Sequence, residues 1–173
     1  MLFRSDAAEL KDYKARVYLD IGESWQEAKE PVKAEHYLVK AVELAVDKSF
    51  ELCSLARFYQ DQKRFADALS RYEQMLDEDI DHKTYSVIYM DIGLCCLGMG
   101  NNSKAIGFFE KHVKLHPDSG LGFYNLGTLF LRAKDFDGAE MCFTMALQVN
   151  KLDDQSLHNL SLVYAEKDEY DSA

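Results

Sequence analysis

An all-α fold built of stacked antiparallel helix pairs follows from three features of the sequence. Alanines stand at 34, 68, 105, 139 and 173, so three of the four intervals are 34 residues and one is 37. Matching columns of large and small residues recur at fixed offsets from each alanine. Only two prolines, Pro31 and Pro117, and nine glycines interrupt the 173 residues, too few breakers for a many-turned β fold. A period of this size is that of a helix–turn–helix unit repeated along the chain.

The columns can be taken in order. Sixteen residues before the alanines stand Tyr18, Leu52, Tyr89, Phe123 and Leu157, and thirteen before them Ile21, Leu55, Ile92, Leu126 and Leu160. This spacing puts both columns on one inward stripe of a first helix. Twelve before come Gly22, Ala56, Gly93, Gly127 and Ser161, all small, and nine before come Trp25, Tyr59, Cys96, Phe130 and Tyr164. The small residue and the alanine let two helix backbones approach closely. Four residues after the alanine, on the second helix, Leu38, Tyr72, Phe109 and Phe143 fill the space between them.

The chain resembles the tetratricopeptide repeat family, most closely in Tyr124-Asn125-Leu126-Gly127, Phe136-Asp137-Gly138-Ala139 and Leu115-His116-Pro117. The likeness covers residues 15–173 and implies a right-handed superhelical stack of helix pairs. The units read 15–48, 49–85, 86–119 and 120–153, with a partial, truncated unit over 154–173. Residues 1–14 read as the tail of a preceding repeat or as a leading segment foreign to the repeats. Cys96 departs from the family's aromatic, and Met75 and His112 from its second alanine. The turn glycine is present only as Gly100, with Lys29, Lys63, Lys134 and Asp168 at the equivalent places. Lys83, Thr84 and Tyr85 are three extra residues between the second and third units. A single unit cannot bury its apolar face alone, and end units of such stacks carry polar outer faces. Neither end here has one, so the chain reads as a piece of a longer stack.

Charge narrows the partners. Lys and Arg total 20 against 30 Asp and Glu, a net charge of −10, with a pI near 4.9. A nucleic-acid binder needs a basic stripe to displace counterions, and anionic membranes repel an acidic chain. No apolar run reaches the roughly 20 residues that span a bilayer, and no secretory leader is visible. Cys53, Cys95, Cys96 and Cys142 form no CxxC pair and read as small apolar side chains in a reducing compartment, the cytoplasm or nucleus.

In the family the first helices line a concave groove. Just before the leucine column stand Asp20, Ser54, Asp91, Asn125 and Asn159, a ladder of short polar side chains. In relatives such a ladder hydrogen-bonds the backbone of an extended peptide; the same residues would also serve as solvated helix positions or local caps. Neighbouring groove columns hold Val87, Met90, Leu94, Leu97, Leu121, Tyr124 and Leu131 in the middle of the chain. Towards the N-terminus they hold Arg16, Glu23, Gln26, Arg57, Gln60 and Asp61. An apolar middle with a charged end suits an amphipathic helix or a peptide with apolar anchors, and packing between units suits the same residues. The Lys/Asn clamp by which co-chaperone relatives grip a chaperone's C-terminal carboxylate is not reproduced: Asn125 alone matches. Glu73, Asp77, Glu78, Asp79 and Asp81 form an acidic run that reads as a solvated helix end or a dock for a basic segment.

Catalytic chemistry finds little footing. His112 and His116 have the four-residue spacing of two metal ligands, but His112 falls in a core column and Pro117 breaks the helix. Gly98-Met99-Gly100 lacks the Lys-Ser/Thr of a phosphate loop, and no nucleophile elbow is present. The chain therefore reads as a protein–protein interaction scaffold, not an enzyme, with no metal and no cofactor. It takes a protein or peptide ligand and belongs to a longer chain or larger complex. Two alternatives stand beside this. One is a structural segment of a multi-subunit machine for transcription, the cell cycle or ciliary transport. The other is the substrate-binding arm of an enzyme, such as a glycosyltransferase, whose catalytic domain lies elsewhere.

Overall fold

A computed structural model describes the backbone of residues 2–77 and 86–171, and the side chains of 7–76 and 88–168. The three extra residues Lys83–Tyr85 and most of the acidic run lie outside the described residues. Nine α-helices and no strand occur among the described residues. They fall into two compact units, Met1–Ile80 and Asp81–Ala173. The first contains α1 (Leu2–Glu27), α2 (Pro31–Leu44), α3 (Ser49–Asp61) and α4 (Phe65–Asp77). The second contains α5 (Ser86–Gly98), α6 (Asn102–Leu115), α7 (Gly120–Arg132), α8 (Phe136–Val149) and α9 (Asp154–Asp171).

The first helices α1, α3, α5 and α7 end in the same way. Lys29, Lys63, Gly100 and Lys134 take positive φ of 58°, 57°, 77° and 59°. At each turn the next residue's N–H reaches back to the carbonyl of Trp25, Tyr59, Cys96 or Phe130, at 2.8–3.0 Å. These bonds satisfy carbonyls that a helix end leaves without partners. The second helix then starts at once: Pro31 opens α2, while Asn101 and Asp135 accept from Lys104 N–H and Gly138 N–H to cap α6 and α8.

The repeat columns form the cores. In the first unit Ala34, Leu38, Leu52, Leu55, Ala56, Tyr59, Ala68 and Tyr72 are buried. In the second, Ile92, Cys96, Ala105, Phe109, Leu126, Ala139 and Phe143 are. Met75 and His112, which replace the family's second alanine, are buried where that alanine would be. The small-residue column is tight: a Cβ on Gly22, Gly93 or Gly127 would lie 2.8 Å from Leu38, 2.4 Å from Phe109 or 2.8 Å from Phe143.

Both flanking segments differ from the expectation. Residues 2–14 form no separate helix but run without a break into α1. At the other end α9 passes straight through Asp168, where a turn is expected. The stretch Ala165-Glu166-Lys167-Asp168-Glu169 has no glycine or proline to end the helix, and positive φ at Asp168 would cost about 1–2 kcal/mol.

Candidate peptide-binding faces

The polar ladder is carried on the first helix of every pair. In the second unit Asp91, Asn125 and Asn159 occupy the same column of α5, α7 and α9, and all three are half-buried. Asn125 Nδ2 donates to Met90 Sδ at 3.6 Å, tying α7 to α5. The Tyr124 carbonyl accepts from Thr128 Oγ1 at 2.9 Å. In the first unit Asp20 is exposed, with its carbonyl accepting from Ser24 Oγ at 2.8 Å, and Ser54 is half-buried.

The apolar residues beside the ladder divide by role. Leu121 is exposed and Leu94 half-buried, so both present apolar surface. Tyr124 is half-buried against the cluster of Phe136, Ala139, Phe143 and Val163, its ring 6.2 Å from that of Phe143. Met90 is buried: it packs and seats Asn125 rather than lining an open surface. Val87 lies in α5, its side chain outside the described residues. In the first unit the polar columns pair with each other. Gln26 Nε2 donates to Asp61 Oδ2 at 2.8 Å, and Tyr72 OH to Gln60 Oε1 at 2.6 Å.

His112 has a visible task. Its Nε2 lies 2.9 Å from Ser119 Oγ, which accepts from Gly122 N–H and caps α7. The His112 and His116 rings stand 4.9 Å apart. No group of three or more His, Cys, Asp and Glu suited to a metal occurs among the described residues. The cysteines form no disulfide among the described residues, and burial pushes the Cys142 thiol up to about 11. Among the described residues no helix is long and apolar enough to cross a membrane.

Two polar clusters join successive pairs and escaped the sequence reading. Tyr59 OH donates to Glu35 Oε1 at 3.0 Å, while Arg64 bonds Glu35 at 2.7 Å and Asp67 at 2.7 Å and lies over the Tyr59 ring. Burial, then Glu35, raises the Tyr59 pKa. The second cluster copies the first: Tyr164 OH donates to Glu140 Oε1 at 3.1 Å, and Lys167 bonds Glu140 at 3.2 Å and Asp137 at 2.6 Å. In both cases the glutamate follows the period alanine and the tyrosine comes 24 residues later. That shared spacing was the available signal.

Residues 52–82 match the tetratricopeptide repeat family model. Protein O-mannosyl-transferase Tmtc3 of Drosophila melanogaster is 24% identical over 160 residues, which are 92% of this chain and 13% of that protein. The chain thus spans a small fraction of this curated relative. The crystal structure of the MamA protein has a TM-score of 0.81 at 18% identity, covering 92% of this chain and 85% of that one. YrrB, described as a TPR protein with an unusual peptide-binding site, has a TM-score of 0.74 at 16% identity, with 95% and 83% covered. Residues 52–82 thus carry a tetratricopeptide repeat, and the chain as a whole has the fold of a tetratricopeptide-repeat stack.

Proposed function

We propose that this tetratricopeptide-repeat protein is a binding scaffold that takes an extended peptide along α5, α7 and α9 of its second unit. The observation that carries the proposal is the Asp91–Asn125–Asn159 column, half-buried and repeated at one position of three successive first helices. Short carboxylates and amides pair with peptide N–H and C=O groups without demanding a sequence. The Asn125 amide rests on a thioether, a weak acceptor, so an incoming peptide carbonyl displaces that contact at little cost. Leu94 and Leu121 supply apolar surface beside the column for anchoring side chains. The peptide-binding site named for YrrB shows that a protein of this fold can hold a peptide. Cysteines that form no disulfide among the described residues suit a reducing compartment, the cytosol or nucleus.

The test begins with peptides selected from a random library displayed on phage. Their affinities are then measured for the parent chain and for Asn125→Ala/Asn159→Ala. Each lost hydrogen bond is worth about 0.5–1.5 kcal/mol, so the double variant should bind roughly 5- to 150-fold more weakly with unchanged helicity. Selected peptides that bind parent and variant equally would remove the ladder.

The likeness to Tmtc3 supports a second reading, in which these repeats are the polypeptide-presenting arm of a larger transferase. Selected ligands rich in Ser and Thr would favour it; ligands depleted in hydroxyl residues would count against it.

A further inference from the structure

On the ladder reading proposed above, a peptide backbone crosses α5 and α7 at Asp91 and Asn125, and the residues beside these two set which peptide enters. The two helices are close neighbours there, since Asn125 Nδ2 reaches the Sδ of Met90, the residue next to Asp91, at 3.6 Å. Leu94 stands three residues after Asp91, and Leu121 four residues before Asn125. At 1.5 Å per residue these places lie about 4.5 Å to the C-terminal side of the ladder and about 6 Å to its N-terminal side. As first helices of their pairs, α5 and α7 run the same way, so the two leucines flank the ladder on opposite sides. Leu94 is half-buried and Leu121 exposed. On the side of Leu94, the matching place on α7 is Thr128, whose hydroxyl is committed to the Tyr124 carbonyl. The apolar surface therefore changes sides between α5 and α7.

We infer that this part of the ladder selects extended peptides with two large apolar residues three apart, and with Lys or Arg beside the one that meets Leu94. Neighbouring helices lie about 8–10 Å apart, a span covered by about three residues of extended chain. Side chains of an extended chain alternate in direction, so residues three apart point to opposite sides. One then meets Leu94 on α5 and the other Leu121 on α7. A helical ligand would hold such a pair about 5–6 Å apart on one face, short of this span and on one side only. Charge sets the basic residue. Asp91 is the only charged residue of α5. Arg132, the only one of α7, stands seven places beyond Asn125, about 10 Å along the helix. The chain as a whole carries −10. Half-buried Asp91 is screened less by salt than an exposed carboxylate, so it favours a cation at the α5 end of the peptide and repels an anion.

Fluorescein-labelled peptides of Gly, Ser and Thr with a central Lys-Leu-Ser-Thr-Leu, made in both chain directions, test this by anisotropy. The tighter of the two should bind about fivefold better than a version with its leucines two apart, and about threefold better than one with Glu for Lys. The charge preference should shrink as salt is raised. Leu121→Ser changes an exposed position, so far-UV circular dichroism should stay unchanged. It should weaken the original peptide about fivefold, yet leave unchanged a peptide whose second leucine is already serine. Leu94→Ala should couple in the same way to the first leucine, and Asp91→Asn should erase the preference for Lys over Glu. No binding in either direction, binding indifferent to leucine spacing, or leucine variants that weaken every peptide alike overturns the inference. Binding that is weakened by Asn125→Ala/Asn159→Ala but indifferent to spacing removes this ligand class and leaves the ladder standing. A spacing preference that survives the double asparagine variant removes the ladder, and with it the backbone path assumed for this ligand.

Discussion

Gly93 offers a direct measure of how closely the helix pairs are held. A methyl group there would lie 2.4 Å from Phe109 Cε1 and 2.6 Å from Cδ1. Carbon contacts settle at about 3.5–4.0 Å, so the shortfall from 2.4 Å is about 1.1 Å or more. Phe109 is fully buried and cannot yield into solvent. Overpacking costs about 1–3 kcal/mol, and a shortfall of this size belongs near the upper figure. Alanine returns about 1 kcal/mol of helix propensity, leaving a net loss of about 2 kcal/mol for Gly93→Ala. Gly107 in α6 is the control, because a methyl there meets nothing within 4 Å. Propensity then acts alone, and Gly107→Ala should stabilise by about 0.5–1 kcal/mol. For a chain of this length 1 kcal/mol shifts Tm by about 2–4 °C. Melting followed at 222 nm should therefore fall by about 4–8 °C for Gly93→Ala and rise by about 1–4 °C for Gly107→Ala. Equal shifts of one sign in both variants would refute the ring contact as the reason for the small column.

Two further perturbations test burial and backbone. Glu51 is buried at the start of α3, and its Oε2 lacks a hydrogen-bond partner among the described residues. Burial, reinforced by Asp47 and Asp12, raises its carboxyl pKa. A raised folded-state value means that Glu51 stabilises the fold only while protonated, and this contribution is lost as pH rises through that value. Glu51→Gln should then raise Tm at pH 7, by roughly 1 kcal/mol of stability, with the gain fading as pH falls to about 4. A gain of the same size at both pH values would contradict the assignment. Lys134 sits at φ 59°, a conformation costing an L-residue about 1–2 kcal/mol. Lys134→Gly should stabilise the fold by about 0.5–1 kcal/mol after the entropy of glycine in the unfolded chain is counted, read as a raised urea midpoint at unchanged slope, and Gly100→Ala should lower that midpoint. Loss of stability in both would disprove the shared turn geometry.

The repeat was legible because every helix pair must solve the same packing problem with the same columns. Ala34, Ala68, Ala105 and Ala139 and the small residues Gly22, Ala56, Gly93 and Gly127 are buried where they were expected, and so are the substitutes Cys96, Met75 and His112. The lysines in place of a turn glycine still take positive φ, since the packed second helix offsets the strain. Asp168 does not, since it lies inside α9. The ladder's spacing was equally legible, but its surroundings were not. Met90 lies in a groove column yet is buried, because helical spacing places a side chain on a face without saying what covers that face.

Tyr59 and Tyr164 carry this point further. They are the same residue in the same column, bonded to equivalent glutamates 24 residues earlier, yet one is core and the other is surface. Residue type does not separate them; the presence of α4 over α3 does. Leu52 and Leu157 repeat the contrast, at 2% and 47% exposed. Helical periodicity assigns a residue to a column, and the helix packed over that column decides whether the residue is core.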